Sequence, residues 1–336
     1  MIKAASAIHT TTNMRSRARE RTQLLAAVAE AYYVDRLGQA QVADLFGLTR
    51  SAISRLLNEA RGMGIVEIKV HHGFSLDERL SGEINDIFGI SHVHVVRTTG
   101  LKAEPAKDVV ARYTAGLIYR GLSEGLALSV TLGTMVHAVV RSLAQMPPIA
   151  IDVVQMCGSV GASDPIVDGH STVRILSDAY RCRSIHLHAP FLVDTVDMRD
   201  ALRRNVGNAL CVELCRRSDV AIVGLGTLDA TTSSLALGGH VSRELMSALS
   251  HRGALGDIGG FPIDGTGRCL QDDKYNPVIA LSFDEFCAIP VRVGAAVGRH
   301  KAEIVCAALR GGTLSDLVID SEIAQAVLNG TSRSAA

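Results

Sequence analysis

Residues Gln39 to Leu57 read QAQVADLFGLTRSAISRLL, with Ala43, Gly47, Ile53 and Leu56 following one another at spacings of four, six and three residues. A small residue at Ala43 lets two steeply crossed helices touch. Gly47 falls where the first helix must stop and the chain reverse, a place that favours positive φ. Thr49 is positioned to cap the next helix. Val42, Leu45, Phe46, Leu48, Ile53, Leu56 and Leu57 supply an apolar face, while Thr49, Arg50, Ser51, Ser54, Arg55 and Asn58 gather on the polar one. An amphipathic helical hairpin would share the apolar periodicity, but it asks for neither the Ala and Gly positions nor the Thr cap. The stretch therefore predicts a helix-turn-helix whose polar face enters a DNA major groove.

The flanks extend this reading. Thr22 to Leu37 carries Leu24, Leu25, Val28, Tyr32 and Leu37 at near-helical spacing, as a supporting helix would. After Arg61-Gly62-Met63-Gly64, the run Ile65 to Val70 partly alternates and predicts a β-wing or an exiting strand. Residues 1–70 hold ten Lys or Arg against six Asp or Glu, whereas the whole chain has a formal net charge of zero. The basic excess lies where phosphate contacts are needed. Arg15, Arg17, Arg19 and Arg21 fit either a basic arm or a solvated tail.

At 336 residues and 47% hydrophobic content, the chain has material for two or three packed domains. With 4% aromatic residues and no Trp, it lacks the usual means for a sugar-stacking lectin face or an aromatic single-strand platform. No run of about eighteen apolar residues and no signal-like N-terminus occurs, which predicts a cytoplasmic protein. Seven dispersed cysteines without a C-x-x-C pair predict core thiols, Cys211 and Cys215 included, and no metal site.

From Phe74 the pattern changes. Ser75-Leu76-Asp77 opens a helix predicted to end at Gly89, a linker or oligomerisation element. Short apolar runs then alternate with amphipathic stretches. The runs are Val93 to Val96, Leu126 to Val130, Ile151 to Met156, Ser184 to Leu187, Val220 to Val223, Val278 to Leu281 and Val291 to Val293. This βα alternation predicts a mostly parallel sheet covered by helices, with ligands bound beyond the carboxyl ends of the strands.

Loops at those ends are the candidate site. Thr131-Leu132-Gly133-Thr134 opens a helix with hydroxyls and free N–H groups suited to an anion, although an ordinary capped turn has the same composition. Gly158-Ser159-Val160-Gly161 repeats the arrangement one strand on. Gly224-Leu225-Gly226-Thr227-Leu228-Asp229 lacks the third glycine of a dinucleotide fingerprint, so no NAD or other cofactor is expected. Gly253 to Gly260 reads as a glycine-dense turn presenting Asp257, and GAAVGRHK at Gly294 to Lys301 leads from a strand into a helix that presents Lys301.

In this order, QVADLFGLTRSAISRLLNEARGMGIVEI, VTLGTMVHAVV, VVQMCGSVG, LHAPFLVD, SDVAIVGLGTLD, GALGDIGG and GRHKAEIVCAALRGG resemble the SorC-type (DeoR/SorC-like) sugar-binding transcriptional regulators, from about Leu24 to Leu328. The resemblance implies an α/β chain: a winged helix-turn-helix followed by a Rossmann-like, doubly wound effector domain similar to sugar-phosphate isomerases and CoA transferases. It further implies a phosphorylated sugar as effector and usually a tetramer. On this basis Gly133 and Thr134 hold phosphate beside Thr131, with Lys301 opposite its charge, and Gln155 and Asp257 contact sugar hydroxyls. Gly158, Gly224 and Gly226 shape the wall, with Asp229 nearby. Leu132 and Cys157-Gly158-Ser159 depart from the family's smaller, glycine-richer turns, which leaves an unphosphorylated sugar or polyol open.

The expected organisation is a basic tail over 1–19, a DNA-binding domain over 20–72, a linker helix over 73–90, an effector domain over 91–330 and a tail over 331–336. The expected partners are double-stranded operator DNA, read by paired recognition helices of a homodimer or homotetramer, and a small sugar, polyol or sugar phosphate. The alternative is a sugar-phosphate isomerase carrying a DNA-binding domain, with Asp229, Asp257, His186 or His188 as acid or base. His186 and His188 share a predicted strand face, but two imidazoles without a third ligand make a poor metal site.

Overall fold

The computed structural model describes residues 19, 21–66, 73–90, 92–161, 166–270 and 274–334. The chain divides into two compact units, Met1–His71 and His72–Ala336. In the first, helices α1 (residues 21–33), α2 (Gln39–Phe46) and α3 (Arg50–Gly62) bury Leu25, Val28, Val42, Ala43, Ile53, Leu56, Leu57 and Ala60 in one core. Gly47 ends α2 in the left-handed conformation at φ 63°, and the Thr49 side chain caps α3 by accepting from Ala52 N at 3.2 Å. A two-pronged ion pair from Arg21 to Glu59 joins α1 to α3.

Two residues of the expected apolar face differ. Leu45 is 64% exposed and Leu48 37%, because Val42 and Phe46, one turn apart, already fill the inward stripe of α2 and leave its neighbours at the edge. Tail residues 1–18 and wing residues 67–70 lie outside the described residues.

The second unit is built on a parallel sheet in the order β1-β11-β10-β6-β2-β3-β4. These strands are β1 (Val93–Val96), β2 (Ala127–Val130), β3 (Asp152–Gln155), β4 (Arg183–Ile185), β6 (Val220–Thr227), β10 (Val291–Ala296) and β11 (Asp316–Asp320). Alternate strand residues feed two cores. Val130, Val153, Ile222 and Val293 meet α5 (Ala103–Gly121), α6 (Thr134–Leu143) and α7 (Gly169–Tyr180) on one face. Val154, Ala221, Val223 and Ile319 meet α4 (Glu78–Phe88), α9 (Ala209–Arg216), α13 (Ala302–Gly311) and α14 (Ser321–Ser334) on the other. Burial on both faces explains the unbroken apolar run that opens β6.

Three sequence expectations are corrected. Gly253 to Gly260 is chiefly a strand, β7 (Ala254–Ile258), which pairs antiparallel with the projecting end of β6 and turns through Gly259 and Gly260 into β8 (Phe261–Asp264). Both turn glycines have positive φ, 60° and 94°, the geometry of a tight hairpin that suits sheet twist. Val278 to Leu281 is a buried crossing segment following the short strand β9 (Asn276–Pro277), which pairs with β5 (Leu192–Val193), and it holds only an isolated bridge from Ile279 to Cys157. β4 ends at Ile185, so His186 and His188 share no strand face.

Helix α4 belongs to the sheet rather than standing apart as a linker. Its Leu80 and Ile84 are buried, Ser81 Oγ accepts from Val95 N at 3.0 Å, and Asn85 Oδ1 accepts from Val93 N at 3.1 Å. β1 is an edge strand, and these side chains satisfy N–H groups that a neighbouring strand would otherwise claim. Ser81→Ala should cost about 1–3 kcal/mol in denaturant unfolding of the effector unit, because it strands a buried donor. Arg79→Ala, on the exposed side of the same helix, should stay within about 0.5 kcal/mol of wild type.

Candidate functional site

Strands β2 and β6 are neighbours, but the chain leaves them in opposite directions, from β2 through α6 to β3 and from β6 onward to β10. This reversal opens a crevice at the carboxyl ends of the strands, where open α/β sheets take ligands. A cleft of 220 Å³ lies there, lined by the loop into α6, the end of β6, the β7–β8 hairpin and the segment that follows β10.

One wall is the start of α6. Gly133 precedes the helix at φ 124°, a conformation that favours glycine, and no side chain caps the helix, so its first turn meets the cleft at Gly133, Thr134 and Met135 without a side-chain partner for its N–H groups. Lys301, at the end of a 3-10 turn (Arg299–Lys301), reaches over β6 and donates from Nζ to the Leu225 carbonyl at 2.8 Å. Burial lowers its pKa, while the nearby Asp257 carboxylate opposes that shift. Asp257 Oδ1 accepts from Gly260 N at 2.9 Å. Burial raises the Asp257 pKa above the usual carboxylate range, against the Gly260 N–H and the Lys301 charge. The two groups form no direct ion pair among the described residues, so each keeps polar capacity for a guest.

The carboxylate occupies this place because β6 carries glycine there. A Cβ on Gly226 would lie 1.7 Å from Asp257 Oδ2, and one on Gly256 would lie 2.3 Å from the Gly226 carbonyl. Gly224 is less tightly enclosed, its would-be Cβ 3.2 Å from the Leu132 carbonyl, on the side of the α6 loop. The structure thus brings Gly133, Thr134, Gly224, Gly226, Asp257 and Lys301 to one cleft, from segments more than a hundred residues apart.

Four expected residues do not line it. Thr131 is fully buried, its hydroxyl donating to the Ile222 carbonyl and accepting from Gly224 N, each at 3.3 Å, so it ties the loop to β6. Gln155 is also fully buried, with Nε2 donating to the Cys157 carbonyl at 2.8 Å and Oε1 3.2 Å from His186 Nδ1. Gly158 packs on backbone, where a Cβ would fall 2.2 Å from the Pro190 carbonyl. Asp229 closes its own turn by accepting from the Thr231 N–H at 2.8 Å and hydroxyl at 2.7 Å. Conversely, sequence reasoning passed over Glu104 and Lys107 at the start of α5, and His300, all of which line the cleft. His300 was legible as the neighbour of Lys301, whereas nothing local marks a helix start after the edge strand.

In the first unit, Arg50, Ser51, Arg55 and Asn58 are exposed along α3, with Ser54 half-buried between them and Thr49 exposed at its cap. Among the described residues no group of three His, Cys, Asp or Glu side chains is arranged to hold a metal, and no helix is long and apolar enough to cross a membrane.

Residues 72–329 match the family described as "Putative sugar-binding domain". The transcriptional regulator LsrR of Enterobacter sp. (strain 638) is 27% identical over 309 residues, covering 91% of this chain and 93% of its own length. The chain belongs to the SorC-type sugar-binding transcriptional regulators. The deoxyribonucleoside regulator of Bacillus subtilis (strain 168) is 23% identical to this regulator over 311 residues, 93% of this chain and 99% of its own. The full-length sorbitol operon regulator SorC of Klebsiella pneumoniae shares the fold, with a TM-score of 0.67 at 24% identity over 91% of this chain and 98% of that one. The curated relatives are named as regulators, in line with the regulator reading rather than the isomerase alternative.

Gly226→Ala should push the Asp257 carboxylate off the Gly260 N–H and abolish ligand-induced thermal stabilisation while leaving the secondary structure by circular dichroism unchanged. Both charged groups also carry a desolvation cost. The folded pKa of Lys301 lies below its unfolded value and that of Asp257 above, so at neutral pH burial of either charge opposes folding. Removing both charges together avoids leaving one unpaired. The double variant Asp257→Asn/Lys301→Met should therefore melt above the unliganded wild type at pH 7 and gain nothing from ligand.

Proposed function

We propose that this regulator switches operator occupancy in response to a phosphorylated sugar or polyol bound in the cleft between β2 and β6. One observation carries the reading: the uncapped start of α6 and the Lys301 ammonium face the same cleft as the Asp257 carboxylate. A phosphate suits the first two, since backbone N–H groups at a helix start and a lysine point charge both stabilise an anion. Hydroxyls suit the third, as donors to a carboxylate oxygen. A cleft of 220 Å³ accommodates a sugar-sized guest.

DNA binding is assigned to α3. Thr49, Arg50, Ser51, Ser54, Arg55 and Asn58 form its polar face, with Arg50 and Arg55 as readers of guanine and the remainder as phosphate or base-edge contacts. A homo-oligomer, dimer or tetramer, supplies paired recognition helices for half-sites about one helical turn apart, and the protein works in the cytoplasm, where operator DNA lies. The relatives named for deoxyribonucleosides and for the sorbitol operon support a carbohydrate-derived effector. Moving operator occupancy from about 99% to 1% requires the effector to favour one state by roughly 10⁴-fold.

Arg55→Ala should weaken binding to the promoter-proximal operator by about 1–3 kcal/mol and relax sequence preference, as measured by fluorescence anisotropy against operator and scrambled duplexes. Lys301→Ala should leave operator affinity intact and remove the effector response. The reading as a whole is tested by a thermal-shift screen of sugars, polyols and their phosphates, in which a guest of the folded state raises the melting temperature. It fails if only unphosphorylated compounds stabilise the protein, or if none that stabilises it alters operator binding.

A further inference from the structure

The start of α5 supplies a second charged wall of the cleft that the reading above leaves unused. Helices α5 and α6 both begin at the carboxyl edge of the sheet and pack against each other on one face, so their first turns lie side by side. Ala103, Glu104 and Lys107 of α5 line the cleft together with Gly133, Thr134 and Met135 of the α6 loop. Burial, followed by the charges of Arg141 and Lys107, holds the His137 imidazole of α6 below its usual pKa.

Lys107 is not vacant. Its Nζ lies 2.9 Å from Glu104 Oε1 and 2.7 Å from Oε2, so one ammonium is held by both carboxylate oxygens. The two partners are unequally placed, with the Lys107 side chain 24% exposed and that of Glu104 76% exposed. Both residues line the cleft, the lysine as the more buried partner and the glutamate as the more exposed one. An i,i+3 pair with one partner in water is worth only a few tenths of a kcal/mol and is easily exchanged for a better anion. A carboxylate in the first turn of a helix is favourable by itself, so Glu104 retains a reason to stay near the α5 start when released.

Resting on the phosphate reading of the same cleft, we propose that Glu104 is a built-in counter-anion which the effector's phosphate displaces, and that Lys107 then becomes the second cation of the anion subsite. A dianionic phosphate monoester has three outer oxygens and can engage the α6 start, Lys301 and Lys107 together. A neutral sugar or polyol cannot break the Glu104–Lys107 pair and gains nothing from it. The pair thus adds a modest preference for dianionic guests over the unphosphorylated skeleton.

The test uses the full chain with inorganic phosphate as probe, titrated by calorimetry at pH 7.5 and constant ionic strength. Lys107→Gln should weaken phosphate binding about tenfold or more, the value of one charge-assisted hydrogen bond. Glu104→Gln should tighten it about twofold, because the internal competitor is gone. Arg79→Gln, which removes the same charge from an exposed pair with Glu83 on α4, should leave binding unchanged. Unliganded melting curves of all variants check that each remains folded. The opposite signs at Glu104 and Lys107 separate a displaced counter-ion from a purely structural ion pair, for which both variants would weaken binding alike. If phosphate binds wild type, weakens in Lys301→Ala and is unaffected by Lys107→Gln and Glu104→Gln, the inference is wrong and the anion site stands. If phosphate fails to bind wild type, both fall together.

Discussion

The close approach of Asp257 to β6 is the constraint on which the cleft depends. A carboxylate stands where the side chain of residue 226 would be, and glycine at 226 is what leaves that space. The approach is possible because β6 does not stop where its parallel partners do: it runs on to Thr227, and the projecting half pairs antiparallel with β7. The hairpin turn at Gly259 and Gly260 then returns an N–H to the carboxylate at 2.9 Å. Gly226 and Gly256 are therefore one packing solution, in which two backbones and a carboxyl group share a space that would not hold two Cβ atoms.

The same crowding sets the electrostatics. Lys301 and Asp257 are both drawn into protein, where each charge is disfavoured, and neither is fully paired by the other. On the function proposed for the cleft, a complementary guest supplies an anion for the lysine and hydroxyl donors for the carboxylate, and such binding needs no reacting group. Coupling to DNA requires only that one conformational state holds these groups around the guest better than the other.

Much of this was legible in one dimension. The helix-turn-helix could be read because its constraints are local: a small residue at Ala43, positive φ at Gly47 and a hydroxyl cap at Thr49 are each imposed within a few bonds of the residue concerned. Gly133, Thr134 and Lys301 could be singled out because loops at the carboxyl end of a parallel sheet are where this fold class takes ligands, and the structure sets them beside Asp257 in one cleft. The failures are equally physical. Gln155, the last residue of β3, and Thr131, just after β2, carry polar side chains at the carboxyl ends of their strands, but their hydrogen bonds are spent on the Cys157 and Ile222 carbonyls, and no local pattern discloses where a side chain finds its partner. The hairpin at Gly253 to Gly260 was taken for a turn because glycine argues against strand locally, whereas here it is demanded by the neighbouring backbone.

By itself the sequence determined what short-range sterics and periodicity decide: a helix-turn-helix, a parallel sheet sheathed by helices, and a set of loops rich in glycine and polar groups. Tertiary structure alone decided which of those loops face one another. Strand order places β6 beside β2, so Gly133 and Asp257 share a cleft, and the parallel packing of α5 and α6 adds Glu104 and Lys107 to it. The reason is that a binding site is a property of convergence. Residues separated by more than a hundred positions become neighbours only when burial of both sheet faces fixes the order of the strands.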